Sequence, residues 1–191
     1  MGMYQRMKNI FLVFFVYSLV CLFGCDFIYG LLQKEGAEEK KLLGEMVPFE
    51  PNPKVVEVQK LLQLYGYKSG TIDGGLGNNT RLAIATFQSD NNIPVTRFVD
   101  KATWARLNIF QESGLITDGE IDTKMIQTAL KNAGFNPGKI DGQMGRQTEE
   151  AVKKFQEAMG LKPDGHIGFK TLKELYDFLP AAYPAVRVKG K

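Results

Sequence analysis

Apolar side chains recur along this chain in short helical rhythms broken by glycine. Val55, Val58, Leu61, Leu62 and Tyr65 share one face of a helix, as do Ile126, Ala129, Leu130 and Ala133 further on. Gly66 and Gly134 follow these runs directly, where a glycine commonly ends a helix. A second run carries Ala83, Ile84 and Phe87 in one place and Ala151, Val152 and Phe155 in another. A third carries Trp104 and Leu107, then Leu172 and Leu175. Asp100 and Asp122 stand just ahead of helical runs, at N-cap positions. No stretch keeps the period-two alternation of a half-buried strand, so the pattern predicts an all-α fold.

The rhythm is written twice. Shifted by 68 residues, Val58 to Leu107 lies on Ile126 to Leu175 without a gap and with fourteen identities. Gln59, Leu62 and Gly66 fall on Gln127, Leu130 and Gly134. Gly70, Ile72, Asp73, Gly74 and Gly77 fall on Gly138, Ile140, Asp141, Gly142 and Gly145. Thr80, Ala83, Phe87 and Gln88 fall on Thr148, Ala151, Phe155 and Gln156. Each unit reads as a three-helix mini-bundle over residues 54–112 and 113–179. A unit this small buries little core, which makes packing of one bundle on the other a reasonable expectation. A smaller echo relates Gly114 to Ile121 with Gly160 to Ile167, each an Asp-Gly turn feeding a helix start. The first joins the two units, so the linker reads as short and structured.

The first thirty residues follow another pattern. Arg6 and Lys8 precede Ile10 to Phe23, 14 residues without a charge. That is short for a membrane span and suits the apolar core of a secretory signal. Leu22-Phe23-Gly24-Cys25 resembles the bacterial lipobox, which implies cleavage after residue 24 and lipidation of Cys25; Phe23 is bulkier than that pattern's usual residue. An uncleaved anchor running to about Leu32 is the alternative, and it would bury Asp26. Both readings place the rest of the chain outside the cytoplasm, in the cell envelope.

Residues 25–53 read as a tether, with mixed charge from Lys34 to Lys41 and then Pro48, Pro51 and Pro53. The charge run is read as a solvated surface without a site. The basic tail, 180–191, is expected to be disordered. The formal charge of +3 is too small for a dedicated nucleic-acid binder. Cleavage takes two of the 24 basic residues and leaves all 21 acidic ones, for a balance of +1. One histidine and two cysteines leave almost nothing for a metal site or a Cys-His nucleophile, so no cofactor, metal or catalytic residue is expected.

The order Gln-x-x-Leu, then Gly-x-x-x-Gly-x-x-Asp-Gly-x-x-Gly-x-x-Thr-x-x-Ala, Phe-Gln, and Gly-Leu-x-x-Asp-Gly-x-x-Gly-x-x-Thr resembles the three-helix peptidoglycan-binding domain often attached to bacterial cell-wall hydrolases. The resemblance covers about 120 residues in two copies. The second copy matches nearly throughout. In the first, Thr96-Arg97 replaces Asp164-Gly165 and Asp100 replaces Gly168, so its third-helix loop is expected to be reshaped.

Most motif residues have structural readings. Gly74, Gly77, Gly142 and Gly145 are expected to permit positive-φ turns, and Asp73 and Asp141 to bond their own turn backbone. Thr80, Thr148, Asp164 and Gly165 belong to the same loop motif. Phe87, Phe155 and Trp104 are read as core, and His166 as a solvent-facing turn residue. The candidate ligand surface is the start of each second helix, where Gly77-Asn78-Asn79-Thr80 and Gly145-Arg146-Gln147-Thr148 present unpaired N–H groups that favour anions. Arg81 and Arg146 stand near and suit a carboxylate of the wall polymer. Tyr67 and Phe135 offer an apolar surface for a sugar face; Asn78 and Gln147 complete the set. The resemblance implies a non-catalytic, membrane-anchored protein whose partner is peptidoglycan. An envelope protein-interaction module on the same fold is the alternative; a wall hydrolase is the least favoured.

Overall fold

Asn52 begins the first bundle: its side chain accepts from the N–H groups of Lys54 and Val55, and Pro53 occupies the first helical turn without needing a partner. The computed structural model describes residues 33–47 and 50–180. The expected signal segment, Cys25 and the 181–191 part of the basic tail lie outside the described residues. The elements are α1 (33–43), α2 (Pro53–Leu64), α3 (Asn78–Asp90), α4 (Lys101–Glu112), β1 (Ile116–Thr117), β2 (Glu120–Ile121), α5 (Thr123–Asn132), α6 (Arg146–Ala158) and α7 (Phe169–Tyr176). Helices α2–α4 and α5–α7 form the two bundles. The linker is a minimal antiparallel hairpin, Ile116 opposite Ile121, closed by Asp118 and Gly119 at φ 55° and 80°. It is the one departure from an all-helical fold among the described residues.

The predicted helix stops are real and have a common form. Gly66 (φ 90°) follows α2; its N–H donates to Gln63 and the next N–H, of Tyr67, to Leu62. Gly134 (φ 87°) repeats this, with Phe135 N–H donating to Leu130. Both are Schellman motifs, which carry an apolar residue just past the glycine. Tyr67 and Phe135 are those residues, and each stands edge-on to the core phenylalanine of its bundle, Phe87 at 5.4 Å and Phe155 at 5.5 Å.

Phe87 and Phe155 are fully buried, as the spacing predicts. Trp104 is half-buried, with the Lys54 ammonium 5.0 Å from its ring, because it lies on the flank of α4 and not on its inner face. The bundles do pack together, with Phe169 at the centre of the junction and Tyr176, 6.3 Å from Phe110, beside it. Phe169, the first residue of α7, inserts among Tyr65, Phe87 and Phe110 of the first bundle at ring distances of 5.1, 5.2 and 5.1 Å. Its N–H donates to the Tyr65 carbonyl at 3.4 Å. Burying a phenylalanine against three rings stabilises the junction by roughly 2–4 kcal/mol.

The tether is not a solvated spacer throughout. Helix α1 lies on the first bundle with Leu43 and Glu39 buried, and the Asn52 side chain donates to the Leu43 carbonyl at 3.0 Å. The charge run hides this because seven of its nine residues from Gln33 to Lys41 are polar and give no apolar period.

Candidate functional site

One buried glutamine organises each glycine corner. The Gln59 amide donates to Asp73 Oδ1 (2.8 Å), the Gly75 carbonyl (3.0 Å) and Thr80 Oγ1 (3.1 Å), while its carbonyl accepts from the Asp73 and Gly74 N–H groups. Gln127 does the same for Asp141, Gln143, Thr148 and the Gly142 N–H. The next corner uses the same device. Gln156 reaches Asp164, the His166 carbonyl and Thr171, and accepts from Gly165 N–H.

The first copy's divergent loop keeps this geometry. Gln88 reaches Thr96 Oγ1, the Phe98 carbonyl and Thr103, and accepts from Thr96 and Arg97 N–H. Thr96 takes the role of Asp164, and Arg97 adopts φ 69° where Gly165 has 79°. The expected reshaping is therefore absent: the buried glutamine dictates the loop path, and Arg97 tolerates the left-handed region.

Gly74 and Gly142 have the expected positive φ, 71° and 82°. Gly77 and Gly145 do not. Their φ values are −68° and −84°, and they serve as extended N-caps that offer no side chain to the helix start. The first N–H groups of α3 and α6 are accordingly without side-chain caps, whereas α2, α4 and α5 are capped by Asn52, Asp100 and Asp122. Asp73 and Asp141 accept from the N–H two residues on, both at 2.9 Å. Asp73 is held below the usual aspartate range first by the Gln59 amide and then by Gly75 N–H. For Asp141 the Gln143 N–H leads, then Gln127. For Asp164 it is the His166 N–H. Thr80 and Thr148 are buried, and their hydroxyls donate to the Ser69 and Pro137 carbonyls.

The two arginines are in unlike settings. Arg81 grips Glu39 of α1 with both terminal nitrogens, at 2.6 and 2.8 Å, and stacks over Phe98 at 4.8 Å. Arg146 pairs with Glu150 at 3.0 Å and is 91% exposed. Asn78 accepts weakly from Arg97 at 3.4 Å, and Gln147 lies across Gly138. The aromatics do not join the arginines. Tyr67 meets α3 at Phe87 and donates to Asp90, the helix's last residue; Arg81 is nine residues earlier, about 13 Å of helix rise. Phe135 meets Phe155, nine residues past Arg146. Helix length thus splits each predicted set into two ends.

Sequence reasoning missed what lies at the Tyr67 end. There the first bundle and the α6–α7 loop enclose a cleft of about 400 Å³ whose lining includes Tyr67, Asp90, Lys162, Asp164, His166 and Lys170. Asp90 bridges Tyr67 Oη at 3.2 Å and Lys170 Nζ at 3.5 Å. The Tyr67 hydroxyl is pushed far above its ordinary pKa, by burial first and by the Asp90 charge second. One signal was available: Phe169 aligns with Lys101 and Tyr65 with Ala133, so large apolar residues stand where the other copy has none. Among the described residues no three His, Cys, Asp or Glu side chains gather to hold a metal, and no helix is long and apolar enough to cross a membrane.

The doubled bundle is of a known kind. The chain belongs to the peptidoglycan-binding family: the model described as putative peptidoglycan binding domain matches residues 51–107 and 119–175, which is more than half of the sequence. Among curated proteins, the N-acetylmuramoyl-L-alanine amidase CwlM of Mycobacterium tuberculosis is 31% identical over 104 residues, covering 49% of this chain and 25% of that protein. The zinc D-Ala-D-Ala carboxypeptidase of Streptomyces albus G is 38% identical over 69 residues, covering 34% and 27%. A spore cortex-lytic enzyme of Bacillus cereus is 44% identical over 54 residues, covering 28% and 21%. The chain therefore spans about a quarter of the length of these relatives. No solved structure matches it.

Proposed function

We propose that this protein is a non-catalytic peptidoglycan binder of the cell envelope, held to a membrane at its N-terminus through a lipid on Cys25. The observation that carries the binding role is the pair of family domains, packed into one body by Phe169. Support for a non-catalytic role comes from the loop carboxylates. Asp73, Asp141 and Asp164 are each tied into their own turn and held in the ionised form, which suits a corner and not a general acid. The apolar stretch ahead of Cys25 supports the anchor.

In this reading Arg146 and Gln147, at the exposed and uncapped start of α6, are the open anion-facing surface. Arg81 and Asn78, at the same place in the first copy, hold α1 and Arg97 instead. Tyr67 and Phe135 serve their helix ends, and Tyr67 also borders the cleft.

The test is sedimentation of the full chain in mild detergent with purified sacculi. The protein is expected in the pellet, and a zymogram on wall-containing gels is expected to stay unlysed. Protein that remains in the supernatant, or a cleared band, ends the reading. Loss of metabolic lipid labelling in Cys25→Ala tests the anchor separately.

A further inference from the structure

Resting on that peptidoglycan reading, we infer that the two repeats form one composite site in the cleft between them, and that it takes the stem peptide of the wall polymer and not its sugars. The cleft is a product of the junction. Phe169 fixes the α6–α7 loop of the second repeat over the C-terminal end of α3 in the first, so neither repeat alone has both walls.

Its chemistry is that of an amphoteric ligand. Lys162 and Lys170 supply positive charge on one wall, at 85% and 64% side-chain exposure, each paired loosely with a carboxylate at 3.5 Å. Asp90 and Asp164 supply the negative charge, and both are more covered, at 36% and 31%. Long lysine stems held by such loose pairs swing to a ligand carboxylate at little cost, since exposed pairs of this kind are weak and salt-screened. The aspartates are anchored, Asp90 by Tyr67 and Asp164 by Gln156 and its own turn, and present fixed acceptors for a ligand amine. His166 is exposed at the same rim. A neutral sugar would cover these charged groups without replacing their water partners, which is unfavourable. A short peptide with a free amine and free carboxylates replaces them pairwise.

The test is calorimetric titration of the full chain in detergent with three soluble probes: a muropeptide, the free stem peptide, and the peptide-free disaccharide. The muropeptide and the peptide are expected to bind and the disaccharide to give no heat. Lys162→Glu with Lys170→Glu is expected to weaken binding about tenfold with an unchanged circular dichroism spectrum, and Lys154→Glu, outside the cleft, to change it less than about twofold. Undiminished binding by the double variant overturns the composite site, as does disaccharide binding equal to that of the muropeptide. Pelleting with sacculi is run beside it. A wild-type chain that pellets while the cleft variant binds normally sinks the cleft and leaves wall binding standing; a wild-type chain that fails to pellet sinks both.

Discussion

Arg81 and Glu39 are 42 residues apart in sequence and meet through two hydrogen bonds of 2.6 and 2.8 Å, with Val99 N–H adding a third to the same carboxylate at 2.7 Å. The Glu39 side chain is 7% exposed and that of Arg81 22%. The pair fastens the tether helix to the first repeat. Glu39→Ala leaves the covered guanidinium and an amide without their partner and is expected to cost about 2–3 kcal/mol in chemical denaturation. Glu38→Ala, whose closest lysine is 3.9 Å away on the surface, is expected to cost under about 0.5 kcal/mol.

Phe169 is the inter-repeat wedge, and Phe169→Ala is expected to cost about 3–4 kcal/mol. The loss should also uncouple the repeats. Trp104 is the single tryptophan and lies in the first repeat, so its fluorescence follows that repeat alone, while circular dichroism follows both. The two unfolding curves are expected to coincide in the natural protein and to separate in the variant.

Two equivalent glycines should respond unequally to substitution. A Cβ on Gly74 would come within 2.6 Å of Asn52 N and 2.8 Å of Pro51 Cα, both backbone atoms. At Gly142 the nearest atom is Cγ of the flexible Lys124 side chain, at 3.2 Å. Both positions have positive φ. Gly142→Ala is expected to cost about 1 kcal/mol from φ alone, and Gly74→Ala on the order of 3 kcal/mol or more, read from thermal melts.

Acid should unfold the protein through its corners. Asp73, Asp141 and Asp164 titrate lower in the folded chain than in the unfolded one. The unfolded state then binds more protons through the acid range, so their contribution is complete above about pH 4 and is lost as pH falls through the lower folded values. The denaturation midpoint is expected to hold from about pH 8 to about pH 5 and to drop below about pH 4. Asp141→Asn is expected to lower the neutral plateau and to flatten that acid limb.

The local architecture was legible in the sequence because its determinants are local. N-caps at Asp100 and Asp122, the stops at Gly66 and Gly134, and the apolar faces act within one turn of helix, and the 68-residue repeat wrote the stops and the faces twice. The family followed from the same pattern. Loops were legible only in part. Their place in the glycine loop motif suggests positive φ at Gly77 and Gly145, yet these residues cap helices in extended form. Thr96-Arg97 suggested a new loop, yet Gln88 holds the old one through side-chain bonds that no spacing rule records.

Contacts between distant segments belonged to the tertiary structure alone. Glu39 belongs to a charge run that reads as solvated surface, and the apolar pattern of its helix does not single out Phe169, because neither the partner nor the burial of a single side chain leaves a periodic trace. The ends of α3 likewise separate Tyr67 from Arg81, which the sequence pattern puts on one surface, since a helix of 13 residues carries them apart. Sequence fixes what a residue does within its own turn; three-dimensional packing decides which faces meet and where a cleft opens between them.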